Sequence, residues 1–250
     1  MIKYSMQGDA IAIITLDRDE KRNALSTEMA KVLLRSFDRA ENEQARVIVL
    51  RANDRVKVWC AGHDLSELDL ESLETDNTTL EVCAKIQATP LPVIAMVEGG
   101  VYAGGLIMLL CADIVVASPT ARVAITSSKL GIPLAPELYA FWLRVMGLHK
   151  AKELLFTAAT ISPEDAYNAG LFNHVVPADQ LEQVTLSIAR KILDCDSAGV
   201  ANAKFQLNLI ATQSSLDEQQ RGHIQDRNAE LISNPALRQR VSAFLKSLGR

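Results

Sequence analysis

The sequence has no apolar run approaching the roughly 20 residues that a membrane span needs. Its longest runs are interrupted by Glu98, by glycines or by Asp113. It has no Cys-x-x-Cys pair: Cys60, Cys83, Cys111 and Cys195 stand far apart. That spacing indicates neither a cysteine zinc site nor a disulfide framework, and unpaired thiols suit a reducing cytoplasm, the expected compartment. Positive charge is in deficit, with 26 Lys and Arg against 30 Asp and Glu and a net charge of −4. Nucleic acid and anionic membrane surfaces are therefore not expected partners. The opening residues, MIKYSMQGDA, lack the apolar core of a secretory signal.

What is present is an ordinary folded composition, 48% hydrophobic and 22% charged over 250 residues, enough chain to bury a large core. The most informative stretch is PVIAMVEGGVYAGGLIMLLCADIVVA, residues 92–117. Residues 92–97 read as a buried strand, and residues 106–110 as a buried helix. Between them lie two glycine pairs, Gly99-Gly100 and Gly104-Gly105. A chain that breaks at glycines and restarts as a helix leaves backbone N–H groups free at the helix start. The helix dipole adds partial positive charge there. Gly104 has no side chain to keep a ligand oxygen away, so the pattern suggests an oxyanion site, with close packing as the alternative use of the glycines.

Earlier in the chain, residues 2–6, 10–16 and 46–51 read as strands. Ser26 is an expected N-cap for a helix over residues 29–43, with apolar residues at Met29, Val32, Leu33 and Phe37. The turn Ala61-Gly62-His63 is a second place for free N–H groups, because Asp64 and Glu67 have capping-box spacing for a short helix. Residues 69–79 are acidic and polar, expected as a surface loop, and residues 80–87 as a helix. Strands are expected at 113–117, 122–125 and 171–176, and a loop at 127–133. Helices are expected at 138–145, 150–157 and from Ser162, whose Pro163 and Asp165 complete an N-terminal signature. After residue 177 the pattern is helical only: 178–193, 199–211, 216–232 and 235–247. This divides the chain into an α/β core, 1–177, and a helical region, 178–250.

Several motifs in order resemble one family. They are Glu20-Lys-Arg-Asn-Ala-Leu-Ser26, Cys60-Ala-Gly-His-Asp64, Val97-Glu-Gly-Gly-Val-Tyr-Ala-Gly-Gly105, Lys129-Leu-Gly131, Lys152-Glu-Leu-Leu-Phe-Thr157 and Ala169-Gly-Leu-Phe-Asn-His-Val-Val176. Together they look like the crotonase (enoyl-CoA hydratase/isomerase) superfamily, from about residue 2 to 248. The resemblance implies an α/β, ClpP-like fold of repeated ββα units with a helical C-terminal trimerisation region. It implies an acyl-CoA thioester as ligand, a setting such as fatty acid metabolism, and a homotrimer or a dimer of trimers. No metal or separate cofactor is implied, since CoA arrives on the substrate. An oxyanion hole is implied at the backbone N–H groups of His63 and Gly104. The CoA adenine is implied between the loop carrying Lys21, Arg22 and Ala24 and the backbone at Ala61 and Gly62.

The same resemblance exposes what the site lacks. Hydratases of the family use two glutamates, at positions that here hold Ile107 and Ser127. Isomerases and dehalogenases use an aspartate where this chain has Ala135. Isoleucine and alanine cannot carry a proton, and serine is a poor base unless activated. Members that decarboxylate a β-carboxyl acyl-CoA need only a stabilised enolate, and the motifs resemble those members most. One departure is Leu134, where the decarboxylases have a tyrosine. The expected function is thus a decarboxylase-like acyl-CoA lyase. Two alternatives stay open: a hydratase or isomerase with Glu137 as its carboxylate, and a non-catalytic acyl-CoA-binding homologue. Tyr102, Ser127 and Leu134 are expected to border the substrate.

Overall fold

The computed structural model describes residues 1–8, 10–68, 78–212 and 218–247. Among these, the strands in chain order are β1 (Ile2–Gln7), β2 (Ile11–Leu16), β3 (Val47–Ala52), β4 (Val58–Cys60), β5 (Val93–Val97), β6 (Gly100–Tyr102), β7 (Ile114–Ala117), β8 (Arg122–Ala124) and β9 (His174–Val175). They form two sheets. The larger has the order β1-β2-β3-β5-β7-β9, antiparallel at β1–β2 and parallel thereafter. The smaller is the parallel trio β4-β6-β8.

The central strands of the larger sheet are apolar throughout in β5 and β7, and in β3 at every position but Arg51, because both faces are covered. Ile48, Leu50, Val93, Ala95 and Val97 face one core, shared with α1 (Thr27–Asn42), α2 (Thr78–Ala88) and α3 (Gly104–Cys111). Val47, Val49, Ile94, Met96 and Val116 face the other, against Leu181 and Ala189 of α7 (Leu181–Leu193). Between these helices lie α4 (Ser127–Leu130), α5 (Pro136–Thr157) and α6 (Pro163–Asn168). Ser26 caps α1, its hydroxyl accepting from the Met29 N–H at 3.2 Å, and Met29, Leu33 and Phe37 form the buried stripe. Ser162 caps α6 in the same way, accepting from the Asp165 N–H at 3.0 Å.

The structure departs from the expectations above in four places and meets one with a kink. The chain does not pass straight from the 93–97 strand into a helix, because residues 100–102 form a strand of the second sheet. That strand is three residues long, too short to show a pattern of its own. No helix forms at Asp64. Its carboxylate instead accepts the Ser66 N–H and hydroxyl (3.1 and 2.7 Å), while Glu67 accepts the Thr27 N–H at 2.8 Å. The free N–H groups of a long neighbouring helix are the better partner for that carboxylate. The expected loop 127–133 begins with the single turn α4. The two helices expected at 138–145 and 150–157 are both present as the two arms of α5, separated where Gly147 leaves helical geometry (φ 72, ψ 167). Of residues 171–176 only His174 and Val175 join the sheet. The loop expected at 69–79 falls mainly outside the described residues; Thr78 and Thr79 open α2.

The C-terminal helices are α8 (Ser197–Thr212), α9 (Glu218–Ser233) and α10 (Pro235–Ser247). Lys204 ties α8 to the core, donating to the carbonyls of Ile86 and Leu91 (both 2.9 Å) and to Asp113 Oδ2 (2.7 Å). Burial pulls the Lys204 pKa down and the Asp113 pKa up, and the opposite charge of each holds the other ionised. Leu237 and Val241 of α10 pack with Leu68, Leu65, Leu130 and Ile132, so α10 bridges the chain after His63 and the α4 turn. Lys204→Met leaves the Ile86 and Leu91 carbonyls without this donor and the Asp113 carboxylate without its cation, with only the Val93 N–H still donating to it. It should destabilise the fold by about 3 kcal/mol, read as a lower urea midpoint in equilibrium unfolding; an unchanged midpoint would refute the anchor.

Candidate active site

The second sheet builds the site. Cys60 pairs with Val101, and Tyr102 with Ala124, so the three parallel strands end side by side. The chain leaving β4 is Ala61-Gly62-His63, that leaving β6 is Ala103-Gly104, and that leaving β8 leads through Ile125 and Thr126 to Ser127 of α4. Stretches distant in sequence are thereby brought to one edge.

In the first turn, nearly every backbone group has a partner. Ala61 N–H donates to the Arg22 carbonyl (3.0 Å), Leu25 N–H to the Gly62 carbonyl (2.7 Å) and Asp64 N–H to the Leu25 carbonyl (2.9 Å). Gly62 N–H donates to Cys60 Sγ at 3.4 Å. Burial pushes the Cys60 thiol up to about 12 against the pull of that N–H, which keeps it protonated and unsuited to nucleophilic work. The His63 N–H donates to no described residue. Both ring nitrogens of His63 are also buried and without a partner.

In the second turn, Ala103 takes φ 48 and ψ −120, a strained region for a residue with a Cβ. Its N–H donates to the Ala124 carbonyl (3.2 Å), and its carbonyl accepts from Leu106 and Ile107 (3.0 and 3.3 Å). That bend starts α3 with the Gly104 N–H unbonded among the described residues. The two turns touch. A Cβ built on Gly62, whose φ is +90, would lie 2.7 Å from the Gly104 nitrogen. Two free N–H groups therefore stand on adjoining backbone at the end of one sheet, a site for a developing oxyanion.

The surroundings hold this edge in place. Asp64 is buried beside Arg18, with 2.8 Å between carboxylate and guanidinium. Burial opposes its charge, yet the Ser66 hydroxyl and N–H and the Arg18 guanidinium more than offset that and hold its carboxyl well below the usual range. Arg18 also donates to the Ala24 carbonyl at 3.0 Å. Asn23, fully buried, donates to the Val58 carbonyl and accepts from the Arg18 N–H. The loop carrying Lys21, Arg22 and Ala24 is thus fastened against Ala61. Lys21 and Arg22 are exposed and make no ion pair with described residues.

The other expected residues are placed as follows. Tyr102 is half-buried, its ring lying over the Cα of Gly100. Ile107 is buried. Ser127 opens α4, and Leu134 is half-buried against the main core. Glu137 is exposed in the first turn of α5. One residue was not anticipated: Thr79, whose hydroxyl lies beside Gly104. It follows a run of polar residues, and its type carried no signal.

The unbonded N–H groups and the strained turn lie at the edge of the smaller of two sheets in an α/β protein. A family model described as enoyl-CoA hydratase/isomerase matches residues 6–247. The chain is 30% identical over 239 residues to methylmalonyl-CoA decarboxylase of Escherichia coli K12, covering 94% of this chain and 92% of that one. It is 36% identical over 204 residues to the mitochondrial enoyl-CoA hydratase domain-containing protein 3 of Mus musculus, covering 79% and 67%. The solved structure of methylmalonyl-CoA decarboxylase in complex with 2-nitronate-propionyl-CoA superposes with a TM-score of 0.94 at 29% identity, over 98% of this chain and 95% of that one. The chain belongs to the enoyl-CoA hydratase/isomerase family of enzymes and has the crotonase fold.

The depressed carboxyl of Asp64 makes stability depend on pH. Its contribution is complete above the unfolded carboxyl's pKa, near 4, and is lost as pH falls further toward the folded value. Asp64→Asn should cost about 3 kcal/mol at pH 7 and flatten the fall in stability below about pH 4, measured by urea unfolding across that range. An acid limb as steep as the parent's would refute the assignment.

Proposed function

We propose that the protein is a decarboxylating acyl-CoA lyase. The observation that carries this reading is the pair of unbonded N–H groups at His63 and Gly104, next to a helix that offers Ile107 where a proton-carrying side chain would be needed. A thioester oxygen seated between the two donors accepts the electron pair released when the bond between C2 and a carboxyl carbon breaks. CO2 leaves uncharged, the thioester becomes an enolate, and a proton from water ends on C2. Each donor of this kind is worth about 3–4 kcal/mol in the transition state. Hydration instead needs an acid and a base, and neither Ile107, Ser127 nor Ala135 supplies a carboxylate. The thioester itself is the electron sink, so the reaction requires no metal or redox group.

Exposed Lys21 and Arg22 suit the phosphates of CoA, and the backbone around Ala24, Ala61 and Gly62 suits its adenine. The relatedness to a methylmalonyl-CoA decarboxylase supports the same substrate class, a thioester with a carboxylate on C2. Leu134 and Tyr102 then border the acyl group. We further propose self-association into trimers in the cytoplasm. Phe205, Leu207 and Ile210 of α8 are each more than 60% exposed, which favours burial against other copies.

The test is mass spectrometry of CoA products after incubation with methylmalonyl-CoA and, separately, crotonyl-CoA. Propionyl-CoA from the first and no hydration of the second is expected. Gly62→Ala, which forces a Cβ onto the Gly104 nitrogen, should lower turnover about 100-fold or more with the circular dichroism spectrum kept. Hydration of crotonyl-CoA that disappears in Glu137→Gln would replace this reading with a Glu137 hydratase. Thioester binding without turnover would replace it with a binding protein.

A further inference from the structure

Thr79 is the second residue of α2 and is half-buried. A Cβ built on Gly104 would lie 3.1 Å from Thr79 Oγ1, 3.3 Å from its Cγ2 and 3.5 Å from the Gly62 Cα. The hydroxyl therefore stands against the glycine whose N–H is free, where the two turns meet. A threonine near a helix start ordinarily spends its hydroxyl on nearby backbone. The Thr79 hydroxyl makes no hydrogen bond among the described residues. The nearby α3 side chains Leu106 and Ile107 are apolar and buried. Thr79 thus adds a protic group with no partner among the described residues to a site otherwise lined at this point by backbone and hydrocarbon.

We propose that Thr79 recognises the carboxylate on C2 of the bound thioester, its hydroxyl donating to one carboxylate oxygen; this rests on the decarboxylase reading above. Geometry gives the first reason. With the thioester oxygen on the Gly104 N–H, C2 is two bonds from that oxygen, and a substituent on C2 comes within reach of a group packed on the Gly104 Cα. Charge gives the second. The carboxylate must leave as neutral CO2, so any donor on it favours the bound substrate over the transition state. A fixed cation would hold the ground state too firmly. One neutral hydroxyl orients the carboxylate with little penalty to its departure.

The role differs from that of the two N–H groups, which act on the charge that develops, and kinetics separate them. Thr79→Val keeps the shape and removes the donor, whereas Thr79→Ser keeps the donor. With methylmalonyl-CoA, the valine variant should raise KM about 10-fold or more and leave kcat unchanged or higher. The serine variant should restore KM, and the Kd for propionyl-CoA, which lacks the carboxylate, should be the same in all three proteins. An unchanged KM overturns the proposal. So does a lower kcat at constant KM, which would put the hydroxyl on the enolate, and so does equally weakened propionyl-CoA binding, which would make Thr79 structural. If the parent binds thioesters but turns none over, the ratio of its methylmalonyl-CoA Kd to that of Thr79→Val decides instead, a ratio near one being the overturning result. If the parent binds no thioester, the reading of the site and this proposal fall together.

Discussion

The parallel ladder of β4, β6 and β8 is the constraint on which the site depends. Each strand is only three residues long, with two of the three buried. Their register nevertheless decides where the chain leaves the sheet. Because all three run the same way, their exits lie at one edge, and the turns after Cys60 and Tyr102 meet there. The larger sheet and its two cores supply the rigidity that keeps this edge fixed. Trp59 shows the link: it is buried in β4, and its indole N–H donates to the Met96 carbonyl in β5 at 2.8 Å.

Two further features keep the N–H groups free. Ala103 carries a backbone strain of about 1–3 kcal/mol, held by its bonds to Ala124, Leu106 and Ile107. Gly62 allows the first turn to lie on the second with no Cβ between them. Around this edge the neighbouring amides are satisfied, by Arg22, Leu25 and the Cys60 sulfur. The His63, Gly104 and Gly105 amides have no partner among the described residues. An unmade bond at a helix start, preserved by strain and close packing, is the feature on which the proposed oxyanion role rests.

Much of this was legible in sequence because backbone chemistry demands particular residues. The glycine pair at 104–105 and the Ala-Gly-His turn pointed to both donors, and the ordered motifs pointed to the family. The caps at Ser26 and Ser162 were legible for the same reason, since a short oxygen-bearing side chain before an apolar period has one common use. Of the second sheet only β8 was legible, within residues 122–125; β4 and β6 are three residues long and show no period. The partnership of Glu67 with Thr27 links residues 40 apart and overrode a local capping pattern. Lys204 carried no signal in a helical stretch, and it is buried against Asp113 through a contact spanning 91 residues of sequence. Thr79 followed a polar run, and only the packing of α2 on α3 brings it to Gly104.

The central claim is that the His63 and Gly104 N–H groups polarise a thioester carbonyl. The most direct test is the infrared difference spectrum of propionyl-CoA labelled with 13C at the thioester carbonyl, bound to the protein at saturating concentration. Two converging donors withdraw electron density from the carbonyl and weaken its double bond. The C=O stretch is therefore predicted to fall below its value in solution. A labelled carbonyl that binds with its stretch unmoved would contradict the account.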